Sequence, residues 1–231
     1  DSIPTRVNIY VHARRFTTES HTSFMEAAIM EAAINSLVCA ATRGDAAAQT
    51  TLAMMNYNGM GEGVPQDFAE ARRLFGLAAA QGQAEAQMTL GSMHYHGHGG
   101  AIDFAEARRL LGLAAAQNLA DAQCELASMH CLGQGGSKDL TEARRLYEPA
   151  AAQGHASAQS ALGTMHYLGH GGPTDFSEAG RLLGLAAAQG NADAQEMLGA
   201  MHLDGKVGPK DLAEARRLFG LAAAQGNAKA Q

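Results

Sequence analysis

Four histidines, His94, His130, His166 and His202, recur at a constant 36-residue step, and a tighter group, His94-x-His96-x-His98, sets three imidazoles within five residues. Imidazole is a common metal ligand and the side chain whose charge changes nearest neutral pH, so metal binding and proton relay are the chemistries to weigh. Equivalent residues of stacked layers stand too far apart to share one ion with bonds of ~2 Å. The 36-step ladder therefore reads as rings that pack and hydrogen-bond between helices. The triplet 94/96/98 is the candidate for weak transition-metal binding, and with it for a metal-binding or hydrolytic protein as the less favoured reading. Its last position becomes Gln134, His170 and Lys206 further on, as expected of a solvated loop tip.

Other reactive side chains are less suggestive. Cys39, Cys124 and Cys131 are too few and too irregular for a disulfide framework, and are expected as buried free thiols. Cys124 and Cys131 are separated by two helical turns, roughly 10 Å along an axis, and cannot bridge one another there. Arginine pairs at 72/73, 108/109, 144/145 and 216/217, with Gly180-Arg181 in the fourth case, each follow a Glu at i−2 and i−3. Their charge is expected to be balanced locally on a solvated face. The glycine-rich segments precede Asp residues, which place negative charge where a phosphate would sit. No Ser/His/Asp or paired-carboxylate arrangement stands out, so no catalytic residue, metal site or cofactor is assigned.

The elements that position these residues follow from an internal repeat. Glu-Ala occurs at 70/71, 106/107, 142/143, 178/179 and 214/215, and Ala-Gln at 86/87, 122/123, 158/159, 194/195 and 230/231. An earlier Ala-Gln at 48/49 is displaced by two extra residues between Gly59 and Pro65. A period of this size marks an array of stacked supersecondary units. Within each unit an Asp-x-x-Glu box (Asp67/Glu70, Asp103/Glu106, Asp139/Glu142, Asp175/Glu178, Asp211/Glu214) predicts a helix start, with Asp capping the N3 amide and Glu reaching back to the Asp amide. Apolar residues then follow at helical spacing until Gly82, Asn118, Gly154, Gly190 or Gly226, residue types that accept a left-handed stop. This is helix B. A second segment, helix A, begins near each Ala-Gln and ends at a glycine-rich loop. Its small position, Ala53, Gly91, Ala127, Gly163 or Gly199, suits close approach of a neighbouring backbone. Pro149 lies inside the third helix B and predicts a bend near Arg145.

Leu90-Gly91-x-x-His94-x-x-Gly97-x-Gly99, Asp103-x-x-Glu106-Ala107, Ala114-Ala115-x-Gln117 and Ala122-Gln123 together resemble the Sel1-like repeat, a relative of the tetratricopeptide repeat. The resemblance runs five times over residues 45–231, with a sixth unit cut off at the end. Residues 23–44 read as a diverged half-repeat helix, in which Ala33 sits where Ala71 does and Gly44 where Gly82 does. Residues 1–22 form an extension, read as an arm or a targeting remnant. The resemblance implies an all-α fold, a right-handed α/α superhelical solenoid. It also implies a non-catalytic scaffold or adaptor, with the A helices lining the concave side. Histidine replaces the family's usual Tyr on helix A, and the usual Trp-Tyr of helix B is Leu74-Phe75, Leu110-Leu111, Leu146-Tyr147, Leu182-Leu183 and Leu218-Phe219. The cysteine-rich branch of the family pairs a Cys on each helix with the next; this chain has Ala115 and Gln123 there, so hydrolase activity gains no support.

The unit-to-unit differences on helix A fall at spacing i, i+4, i+7 and make one stripe: Met54, Tyr57, Met88, Ser92, Tyr95, Ser128, Cys131, Thr164, Tyr167, Glu196 and Leu203. Tyrosines and methionines are typical interface anchors, so this stripe is the expected contact surface for a protein partner. A permanent structural subunit of a larger assembly, organellar or membrane-associated, is the alternative. The composition agrees with a folded chain whose core is divided into thin layers: of 231 residues, 46% are hydrophobic but only 5% aromatic, with no Trp. A net charge of −6 argues against nucleic acid as the main partner. Apolar runs stop far short of the ~20 residues of a membrane span. The thiols fit a reducing, intracellular setting, cytosol or organelle.

Overall fold

The computed structural model describes residues 21–59 and 66–226. Expectations for the N-terminal arm, for the insertion before Pro65 and for the sixth unit at Ala230-Gln231 lie outside the described residues. Those residues form helices and turns only, eleven helices in all: α1 His21–Thr42, α2 Ala46–Asn58, α3 Phe68–Ala80, α4 Ala84–His96, α5 Phe104–Ala116, α6 Ala120–Leu132, α7 Leu140–Ala152, α8 Ala156–Leu168, α9 Phe176–Ala188, α10 Ala192–Asp204 and α11 Leu212–Ala224. The chain divides into two compact units between Asp103 and Phe104. In the first, α2 packs on α1 and α3, and α3 on α4; in the second, each helix from α5 to α11 packs on the next, except that the pairs α6/α7, α8/α9 and α10/α11 are the most extensive.

Sequence chemistry explains the boundaries. Asp67, Asp139, Asp175 and Asp211 accept from the amides of Glu70, Glu142, Glu178 and Glu214 at 2.9 Å. The reverse half of the expected box is not made. The Asp amide instead donates to the helix A carbonyl before it: Asp139 to His130 O, Asp175 to His166 O, Asp211 to His202 O. With the cap amide taken, Glu70, Glu142, Glu178 and Glu214 turn to Arg73, Arg145, Arg181 and Arg217 on their own helices, N···O 2.6–2.7 Å. The B helices stop in the left-handed region as predicted, at Gly82 (φ 88°), Asn118 (65°), Gly154 (88°), Gly190 (85°) and Gly226 (82°). Pro149 does not shorten α7, which keeps the thirteen residues of the other B helices.

The core of the second unit is a row of small and branched residues. Ala179, Leu183, Ala186, Ala194 and Met201 are fully buried, with Tyr167, Phe176, Leu198 and Val207 packed around them. Both backbone and side chains approach the small position of helix A. A methyl at Gly163 would meet Leu183 Cγ at 2.8 Å and the Ala179 carbonyl oxygen at 3.2 Å, and one at Gly199 the Phe219 ring at 3.0 Å. Layers this thin let Leu, Met and single aromatics fill the space between helices, which accounts for a core with no Trp. Ala33 is exposed, unlike Ala71 at 0%, although Gly44 (φ 94°) ends its segment as Gly82 does. Cysteine burial also departs from expectation: Cys39 is exposed and Cys124 and Cys131 are half-buried.

Candidate functional site

The histidine ladder is resolved into a latch between successive layers. Arg72 Nη2 stands 2.8 Å from His94 Nδ1, Arg108 Nη2 2.7 Å from His130 Nδ1, and Arg144 Nη2 2.9 Å from His166 Nδ1. Each arginine comes from a helix B and each histidine from the next helix A. The fork also lies across the loop that follows: a Cβ at Gly100, Gly136 or Gly172 would collide with the Arg72, Arg108 or Arg144 guanidinium. Arg108 and Arg144 Nη1 reach the carbonyls of Ser137 and Pro173 at 3.4 Å. Arginine can only donate, so these rings accept and are held neutral. Burial, then the neighbouring Arg108 or Arg144 charge, lowers the pKa of His130 and His166 below the usual histidine range. Arg72, Arg108 and Arg144 are therefore not on a solvated face balanced by Glu, as expected; the second arginine of each pair is, and Arg216 stays exposed.

The triplet 94/96/98 does not converge on one point. His94 faces Arg72, while the His96 and His98 rings stay stacked at 5.4 Å; His96 Nδ1 lies 2.9 Å from the Ser92 carbonyl, and His98 also stacks on Phe68 at 4.9 Å with Nδ1 3.0 Å from the Tyr57 hydroxyl. Among the described residues no three His, Cys, Asp or Glu side chains are placed to hold a metal ion. Burial raises the Cys124 pKa to about 11 and also raises that of Cys131, so neither thiol is activated as a nucleophile.

Of the helix A stripe, Met54 and Leu203 are exposed, and Tyr57, Met88, Ser92, Tyr95, Ser128, Cys131, Thr164, Tyr167 and Glu196 are half-buried. Several already have intramolecular partners. The Tyr57 ring meets Phe68 edge-on at 5.2 Å, the Tyr167 ring meets Phe176 at 5.5 Å, and Thr164 donates to the Ser160 carbonyl at 2.9 Å. Cys131 and Thr164 come together, with Tyr147, Ser157, Ser160, Asn191 and Asp193, around a cleft of 350 Å³ in the second unit.

A second ladder escaped the sequence reading. Gln49, Gln87, Gln123, Gln159 and Gln195 are buried, and Gln49, Gln87, Gln159 and Gln195 donate to the carbonyls of Ala41, Ala79, Ala151 and Ala187 at 3.1–3.2 Å. Their side-chain oxygens receive the next layer, as Gln81 donates to Gln49, Gln189 to Gln159 and Gln225 to Gln195. The signal was present as an invariable Gln at a position otherwise surrounded by alanine. Such a buried amide must be satisfied, and here it ties three helices together.

Capped helix pairs repeated at one period, tied by Arg–His and Gln–Gln contacts between layers, define the class: an all-α array of stacked helix-turn-helix repeats. The Sel1 repeat family matches at residues 46–83, 84–119, 120–155, 156–191 and 192–227, and the chain belongs to that family, with its TPR-like solenoid fold. Similar solved structures include a protective antigen of uropathogenic Escherichia coli strains displaying an SLR fold, 32% identical with TM-score 0.79 over 86% of this chain and 42% of that one. A Sel1 repeat protein from Oxalobacter formigenes is 27% identical with TM-score 0.80, over 90% of this chain and 82% of its own. The chain thus spans about two fifths of the length of the E. coli protein. No curated protein matches it. Sel1 repeat proteins generally mediate protein–protein interaction and are generally non-catalytic scaffolds. Among the described residues no helix is long and apolar enough to cross a membrane.

Proposed function

We propose that the chain is a non-catalytic adaptor that holds a segment of a partner protein along its A helices. The observation that carries this reading is the cleft at Cys131 and Thr164, where two stripe residues from successive A helices open onto one 350 Å³ space. In the same unit α10 touches α8 as well as its own B helix, so these A helices adjoin and can offer one surface. The cleft walls mix a thiol and a Tyr ring with the hydroxyls of Ser157, Ser160 and Thr164, the Asn191 amide and the Asp193 carboxylate. Apolar walls with a few converging polar groups suit the anchoring of one side chain. Nothing here activates a nucleophile, and Tyr147 is held protonated by burial.

The test places a photo-crosslinking amino acid at Thr164 or Tyr167, and as reference at Arg109, whose side chain pairs with Glu106. In native extract, one partner crosslinked from 164 and 167 but not from 109 supports the reading. Equal labelling from all three, or none from the stripe, refutes the site. Retention of the partner at 1 M salt would favour the permanent-subunit alternative over a reversible adaptor.

A further inference from the structure

Within the second unit the latch between layers is broken in one place, and two changes break it together. Gly180 stands at the position of Arg72, Arg108 and Arg144, and the loop glycine found as Gly99, Gly135 and Gly171 is Val207. The three glycines have φ between 69° and 72°. Val207 does not share that conformation, and the positive φ moves to Gly208 (142°). The Val207 side chain then folds over α9 so closely that a methyl on Gly180 would collide with its Cγ1. Gly180 and Val207 are thus a matched pair, since an arginine stem and this valine cannot occupy the same place.

The exchange covers the root of the missing arginine but not its tip. A cleft of 390 Å³ remains, lined by Ser177, Gly180, Arg181, Leu198, His202, Lys206 and Val207. His202, whose counterparts His94, His130 and His166 face a guanidinium, instead has the Glu214 carboxylate in its neighbourhood. Lys206 is held at the rim with Nζ 4.6 Å from the Phe176 ring centroid. Arg181 spends Nε and Nη2 on Glu178, leaving Nη1 uncommitted to that pair. The Ser177 hydroxyl completes the donors. Arg181 is balanced by Glu178, and Glu214, the carboxylate near His202, is balanced by Arg217, which leaves the Lys206 charge as the local surplus.

We propose that this cleft is an oxyanion site, taking a carboxylate or phosphate group between His202, Lys206, Arg181 and Ser177. It stands apart from the helix A stripe and does not depend on the adaptor reading. Ser177, Arg181 and Lys206 are exposed and His202 half-buried, and all four line the one cleft; charge-assisted donors around a single cleft are the chemistry that recognises such a group. The two sources, a free phosphate and an acidic side chain, share that chemistry and differ in what brings it.

The test follows the His202 ring signal in isotope-labelled full chain, assigned by H202Q, during titration with inorganic phosphate and, separately, with an N-acetylated Asp-Glu dipeptide amide at fixed ionic strength. A saturable shift is expected, with a Kd on the order of 1–10 mM, weakened about fivefold by K206A. Saturation by phosphate alone assigns the free ion, and saturation by the dipeptide assigns an acidic side chain; either supports the site. The double variant G180R/V207G rebuilds the arrangement of the other layers and should abolish the shift. Absence of saturation by both probes up to about 50 mM, or unchanged binding by K206A, overturns the proposal.

Discussion

Arg144 Nη2 lies 2.9 Å from His166 Nδ1, while a Cβ at Gly172 would strike the same guanidinium. One side chain of α7 therefore fastens both the helix and the loop of the next layer. Substituting R144Q removes this contact and is expected to cost about 1 kcal/mol, since the bond is half-buried and its loss leaves a ring nitrogen without its donor. Urea denaturation of the two proteins measures it.

The same latch makes stability sensitive to acid. His130 and His166 have folded pKa values lowered below the unfolded value near 6.5, by burial first and then by Arg108 and Arg144. Between the folded and unfolded values the unfolded chain binds more protons, so stability rises with pH in that window. The contribution is complete above about pH 6.5 and is lost as pH falls through the folded values. Melting temperatures should be level from pH 8 to about 6.5 and fall towards pH 5, and H130Q/H166Q should flatten that slope.

Gln159 sits between the Ala151 carbonyl, 3.1 Å away, and the Gln189 amide, 2.8 Å away. Q159A removes both bonds of a buried amide, although the Ala151 carbonyl keeps the Gly154 amide at 3.0 Å, and should cost about 1–3 kcal/mol. Q189A, at an exposed residue whose place water can take, should cost under about 1 kcal/mol. Chemical denaturation of both variants checks the order.

Two glycines separate conformation from habit. Gly171 has φ 70°, and an added methyl would strike the Leu140 carbonyl oxygen. G171A should destabilise by about 2 kcal/mol or more. Gly184 lies inside α9 with nothing within 4 Å of an added methyl, so G184A should stabilise by about 0.5–1 kcal/mol. Thermal melts of the two variants should move in opposite directions.

Thiol reactivity follows burial. Cys39 is exposed, whereas burial pushes Cys124 up to about 11. Iodoacetamide at pH 8 should modify Cys39 well before Cys124, as read by peptide mapping over time.

How much of this was legible in the residues depends on the range of each interaction. Asp at a helix start and Gly or Asn at its end act within one turn, so Asp175, Gly190 and Asn118 marked the boundaries from sequence alone, and the 36-residue step disclosed the stacking. The helix A stripe was legible as a pattern, while its cleft at Cys131 and Thr164 required two layers to be set against each other. Glu178 shows where local reasoning stops. Its capping role looked complete in sequence, but the Asp175 amide is taken by the His166 carbonyl, a partner from another helix, and Glu178 goes to Arg181. Arg144 and His166 are 22 residues apart, and only the turn of the chain between α7 and α8 brings them together. The residues by themselves determined which helices form and how often they repeat, because propensity, capping and left-handed stops are local. Tertiary structure decided which polar groups meet, because a buried donor must find an acceptor wherever packing places one.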